Sequence, residues 1–137
     1  MPQPWPDVDD AARIEGYHAH IYYDAATRPI AERLREAIGQ RFAVRLGRWH
    51  DKPVGPHPIA MYQVAFSVDD FPRLVPWLML HRAGLSVLVH PETGNEYDDH
   101  ARFAGWLGTP VELRLDTLRK APRARTLSGR VVREDAR

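Results

Sequence analysis

The chain has 137 residues, a formal net charge of +1 and no cysteine. That length suits one domain. The lack of cysteine excludes disulfides, thiolate zinc sites, iron–sulfur clusters and cysteine nucleophiles, so any metal must be held by His, Asp or Glu, a donor set that suits iron, zinc or manganese.

No apolar run approaches transmembrane length, so no membrane partner is expected. Met1–Asp10 is proline-rich and acidic and lacks the basic start and apolar stretch of a signal peptide, so a cytoplasmic location is expected. Charge is distributed unevenly. From Thr117 to Arg137 there are seven basic and two acidic residues, against 12 basic and 16 acidic before it. A nucleic-acid-binding body is therefore not indicated. The expected organisation is one domain over 1–116 and a basic, flexible tail over 117–137.

After a loose lead-in to Glu15, Tyr17-His18-Ala19-His20-Ile21-Tyr22-Tyr23 has the alternation of a strand. His18 and His20 then share one face, where two imidazoles can bind one metal ion. Tyr17, Ala19, Ile21 and Tyr23 face the other way, into a core. Thr27 offers a helix cap with Pro29 in the first turn, and Ile30, Leu34, Ala37 and Ile38 keep helical spacing. Gly39 weakens that helix near its end, and a short second strand is expected over Phe42–Leu46.

The next stretch, Gly47-Arg48-Trp49-His50-Asp51-Lys52-Pro53-Val54-Gly55-Pro56-His57-Pro58, holds three prolines and two glycines in a dozen residues. Proline fixes φ and restricts the residue before it, so this loop is expected to be stiff and to carry function. A third strand follows over Ile59–Ser67. Asp69 or Asp70 caps a second helix from Phe71 to about Arg82, apolar nearly all round, with His81 in a structural role at its C-terminus. Gly84 ends that helix, Leu85–His90 reads as the fourth strand, and Pro91–Asn95 as a turn. A short helix is expected from about Asp98 to Leu107, with His100 on its packed stripe. Alternating Val111, Leu113 and Leu115 suggest a fifth, edge strand.

Strand, helix, strand, strand, helix, strand is the order of a ferredoxin-like α+β sandwich, βαββαβ, with an antiparallel sheet and its helices on one face. The expected sheet places strands one and three centrally and parallel to each other. On that placement His18, His20, His50, His57 and His90 converge on one end of the sheet from four segments. His18, His20 and Tyr22 share the helix-free face with Met61 and Gln63, and this face needs a cover, either the long loop or a second copy in a dimer.

The Tyr17–Tyr23 and Gly47–Pro58 stretches, together with Val89-His90-Pro91-Glu92-Thr93-Gly94, Asp99-His100 and Trp106-Leu107-Gly108, resemble the DOPA 4,5-dioxygenase family. The resemblance runs from about Tyr17 to Leu115. It implies a ferredoxin-like fold and extradiol cleavage of a catechol, such as L-DOPA or a related phenolic acid, by non-haem iron(II) and O2. Three protein ligands leave room on iron for substrate and O2. Within this scheme His18, His57 and His90 are the expected ligands, with His20 as a fourth ligand or an acid/base and Glu92 as the candidate carboxylate. His50 is the candidate acid/base. Arg48 and Lys52 are candidates for a substrate carboxylate, and Trp49 and Tyr22 for stacking on its ring. The competing expectation is a non-catalytic metal- or small-ligand-binding dimer of the same fold, in which zinc would occupy the same histidines.

Overall fold

The computed structural model describes residues 8–119. Its elements in order are β1 (Tyr17–Tyr22), α1 (Arg28–Arg41), β2 (Arg45–Leu46), β3 (Met61–Phe66), α2 (Phe71–His81), β4 (Val87–Pro91), α3 (Glu96–His100), β5 (Gly105–Leu107) and α4 (Asp116–Arg119). A 3-10 helix at Val8–Arg13 replaces most of the expected loose lead-in. The expected tail lies outside the described residues except for its first three, which belong to α4.

The five strands form one antiparallel sheet in the order β2-β3-β1-β4-β5. This is the ferredoxin-like sandwich with one added edge strand. Strands β1 and β3 are central, as expected, but they run antiparallel. The reason is the crossover: α1 carries the chain back over one face and starts β2 parallel to β1. β3 then returns antiparallel to β2 and slots between the two.

Alternation along the strands separates two faces. Ala19, Ile21, Tyr62, Val64 and Val87 pack under Ala31, Leu34 and Ile38 of α1 and Leu74, Val75 and Leu78 of α2. Gly39 in α1 lies close to β2: a Cβ there would come within 3.2 Å of Leu46 Cδ1. Thr27 is the N-cap residue of α1, as expected, but its side chain makes no cap bond; its backbone N–H donates to the Asp24 carboxylate at 2.9 Å. α2 stops at Ala83 and Gly84, both at positive φ.

On the other face Tyr22, Met61 and Leu88 form a smaller cluster with Ala104, Trp106, Val111 and Leu113. The last four belong to a segment expected to continue a helix and then form an edge strand. Instead α3 ends at His100, Gly105–Leu107 pairs with β4, and Val111–Leu115 forms no strand. Val111, Leu113 and Leu115 still alternate half-buried with exposed neighbours, so the period is real. Val111 and Leu113 lie over the open face, and Arg114 N–H bonds the Pro56 carbonyl at 2.8 Å. No helix among the described residues is long and apolar enough to cross a membrane.

Candidate metal centre

Strand register lays the helix-free face out as rows. Directly paired residues on neighbouring strands share a face. Arg45, Ala65, His18 and His90 form one row across β2, β3, β1 and β4. Gln63, His20, Leu88 and Trp106 form the next across β3, β1, β4 and β5. His50, Met61 and Tyr22 form the third, His50 reaching Met61 through an isolated bridge.

Two further histidines come from outside the strands. Val54 and His57 exchange both backbone hydrogen bonds, 3.1 and 2.9 Å, around Gly55-Pro56. Gly55 takes a positive φ, the first position of a tight two-residue hairpin. This turn delivers His57, which is buried, onto the open face. His100 closes α3, whose Asn95 side chain caps Asp98 N–H at 3.0 Å. Asp99 accepts from Thr93 N–H at 2.9 Å and Thr93 O–H at 2.6 Å, which ties the turn after β4 to α3.

The result is a cluster of five imidazoles. His20 lies 4.3 Å from His57 and 5.1 Å from His90 between ring centroids, and His90 lies 4.0 Å from His100. Two triplets, His18-His20-His90 and His20-His57-His100, each bring one ligand atom per residue within 4.8 Å of the others. His20 belongs to both.

The chemistry of these nitrogens suits a metal. A carbonyl only accepts, so His90 Nδ1–H donates to the Pro91 carbonyl at 2.9 Å and His100 Nδ1–H to that of Glu96 at 2.8 Å. Both therefore present an Nε2 lone pair inward. His20 Nδ1 lies 3.4 Å from the Met61 sulfur and His20 Nε2 lies 3.0 Å from His90 Nε2. Two nitrogens that close need a proton or a cation between them. Metal–nitrogen bonds of ~2.1 Å put neighbouring ligand atoms about 3 Å apart.

Protonation points the same way. Burial lowers the pKa of His20, helped by His57, His90, His100 and His18. Burial also lowers His90 and His100, and holds His57 down to about 3. Neutral imidazole is the form that binds metal.

The expected convergence on one end of the sheet does not occur. With β3 antiparallel to β1, Met61 at the start of β3 pairs with Tyr22 at the end of β1. His57 and His50 therefore enter from the end opposite His18 and His90. The histidines meet across the face instead. His100, expected as a packing residue, is buried and also part of a triplet. The amphipathic stripe it shares with Phe103 and Leu107 disguised it.

Other candidates sit as follows. Glu92 Oε2 lies 3.3 Å from His18 Nδ1 and 3.6 Å from His90 Nδ1, behind the rings and outside both triplets. Tyr22 is buried with its hydroxyl 2.7 Å from His57 Nδ1, so it is no open stacking surface. Trp49 packs into the helix-side core against Tyr62 and Tyr23, with the Arg28 guanidinium 4.1 Å from its ring centre. A residue on that side of the sheet cannot stack on a ligand beside the histidines. Arg48 and Lys52 are exposed on the loop, and His81 is exposed at the end of α2 with its ring 5.0 Å from Trp77.

The cluster has a way out. His18 is half-buried and opens into a cleft of about 450 Å³, which Arg45, Ala65, Glu15 and Glu92 also line. Neither Arg48 nor Lys52 lines it.

Fold and site define a ferredoxin-like protein whose open sheet face carries a buried histidine cluster with the spacing and protonation of a metal centre. Residues 17–117 match the Dopa 4,5-dioxygenase family, and the chain belongs to that family. It is 34% identical over 116 residues to a DOPA 4,5-dioxygenase of Amanita muscaria (78% of this chain, 51% of the relative). It is also 34% identical over 116 residues to an uncharacterized 21.2 kDa protein of Botryotinia fuckeliana (76% and 63%). The chain thus spans between half and two thirds of the length of these curated relatives. A crystal structure from Nostoc punctiforme, of a protein with a provisional dioxygenase assignment, matches with 56% identity and a TM-score of 0.80, covering 81% of this chain and 96% of that one.

Proposed function

We propose that this protein is an extradiol dioxygenase that opens a catechol ring, such as that of L-DOPA or a related phenolic acid, with non-haem iron(II) and O2. The observation that carries this is the His18-His20-His90 triplet, one of whose members opens into a cleft. Family membership supplies the reaction class. His18, His20 and His90 would hold the iron(II), which would supply Lewis-acid and redox chemistry there.

The chain's own residues have separate tasks. His90 is fixed as a ligand by its Nδ1–H bond to Pro91. Glu92, against Nδ1 of His18, orients that imidazole and raises its basicity, the usual part of a carboxylate behind a ligating histidine. The Tyr22 hydroxyl, 2.7 Å from Nδ1 of His57, holds that imidazole in place beside His20, and His57 is kept neutral, the form in which it can serve as a further metal ligand. His50 lies on the same face as Met61 and is the candidate for proton transfer. Val111, Leu113 and Trp106 exclude water from the far side of the cluster.

Anaerobic loading with iron(II), followed by L-DOPA, caffeate or protocatechuate in air, tests the proposal. The expected product is a yellow semialdehyde that His18→Ala cannot form. Stoichiometric metal with no product from any of these catechols would favour the second reading, a metal-binding protein without catalysis. The wholly buried His20-His57-His100 triplet favours that reading, because a closed all-histidine set suits a structural ion.

A further inference from the structure

We propose that Arg45 selects an anionic substituent on the catechol, and that this substituent lies in the cleft over Ala65. The inference rests on the catechol reading above. Arg45, Ala65 and His18 occupy one cross-strand row on the open face. Neighbouring strands lie ~4.8 Å apart, so the backbones of Arg45 and His18 are about 10 Å apart. Between them Ala65 raises only a methyl group. The resulting bed belongs to the 450 Å³ cleft, a volume within the range of small-ligand sites. One aromatic ring with a short substituent bridges such a span.

Charge gives the cleft a direction. Glu15 and Glu92 line it on the β1 and β4 side, with Glu92 Oε2 3.3 Å from His18 Nδ1. Catechol hydroxyls donate hydrogen bonds, so they suit that side, and a ligand carboxylate is repelled from it. Across the cleft stands Arg45, exposed and carrying a planar five-donor fork matched to a carboxylate. The ring therefore enters with its hydroxyls toward His18 and its anionic substituent toward β2. Arg48 and Lys52, the cations more conspicuous in the sequence, do not line this cleft.

The test is equilibrium binding to zinc-loaded protein without O2, by calorimetry. The probes are 3,4-dihydroxyphenylacetate and 4-methylcatechol, whose substituents differ by one carboxylate. The unaltered chain is expected to prefer the anion by roughly 10- to 100-fold, the usual worth of a charged hydrogen bond. Arg45→Gln should bring that ratio close to one, and Arg45→Lys should leave it between. The preference should also shrink as ionic strength rises. Ala65→Leu, which fills the bed, should weaken both ligands. A ratio unchanged in Arg45→Gln, or no preference in the unaltered chain, overturns the assignment of Arg45. Failure of both ligands to bind the metal-loaded chain would sink the catechol reading itself, and Arg45 with it.

Discussion

The two faces of this sheet come from the same strands and solve opposite problems. On the helix side Ala19, Ile21, Val64 and Val87 are fully buried, and apolar burial alone explains them; Tyr62, also fully buried, needs only one bond, from its hydroxyl to the Ala31 carbonyl. On the open side His20, His57, His90 and His100 are nearly as buried, although each carries polar nitrogens. Burying a polar group is unfavourable unless it is paired. The pairs are present: Pro91 and Glu96 carbonyls, the Tyr22 hydroxyl and the Met61 sulfur. What the contrast teaches is that one face is built from apolar burial, whereas the other gathers buried histidines that could hold a metal ion. A one-residue slip of β1 would exchange them.

The largest effect expected is on the open face. His20→Ala removes the member common to both triplets; the proposed ring-cleaving activity should fall at least about a thousandfold and the metal taken up on loading should be lost, as measured by turnover and metal analysis. The matching change on the helix side is Leu78→Ala. It should cost about 2–5 kcal/mol in urea unfolding and leave metal stoichiometry intact. If Leu78→Ala also emptied the metal site, the two faces would not be separable.

Glu92→Gln should act only on the open face. It keeps shape but weakens the hold on His18, so metal affinity should fall about 10- to 100-fold, read by competition with a chelator. An unchanged affinity would remove Glu92 from the site.

Acid should expose the contrast in the metal-free protein. His57 is held down to about 3 and stays neutral in the fold, whereas its unfolded counterpart takes a proton below about 6.5. The unfolded state then binds more protons, so stability falls as pH drops from about 6.5 toward 3. His20, His90 and His100 are lowered too and act in the same sense. Asp99, raised by burial to about 6, acts the other way, because the folded state takes its proton first. Four histidines outweigh one carboxyl, so the urea midpoint should be clearly lower at pH 5 than at pH 7. The smallest effect belongs to a surface pair outside both faces. Asp10→Asn, which loses only the exposed contact with Arg13, should leave the urea midpoint nearly unchanged.

Most of the fold was legible because alternation and helical spacing are local. The split into Tyr17-Ala19-Ile21 and His18-His20-Tyr22 came directly from period two. Strand direction was less legible, since it depends on how α1 crosses the sheet, and the error moved His50 and His57 to the wrong end. Trp49 and His50 differ by one position and face opposite sides, which no composition argument distinguishes inside an irregular loop. His100 was hidden by its apolar neighbours. Arg45 was hidden because its meaning comes from register: only the pairing through Ala65 to His18 places it beside the cluster.

The most direct measurement is an anaerobic titration of the purified chain with cobalt(II), a spectroscopic substitute for iron(II), repeated on His18→Ala and His100→Ala. A metal centre at His18-His20-His90 predicts one ion per chain with visible ligand-field bands, much weaker binding in His18→Ala, and retained stoichiometry in His100→Ala. Binding that survives His18→Ala but is lost in His100→Ala would contradict it and place the ion in the buried triplet. No binding by the unaltered chain would contradict a metal centre on this face altogether.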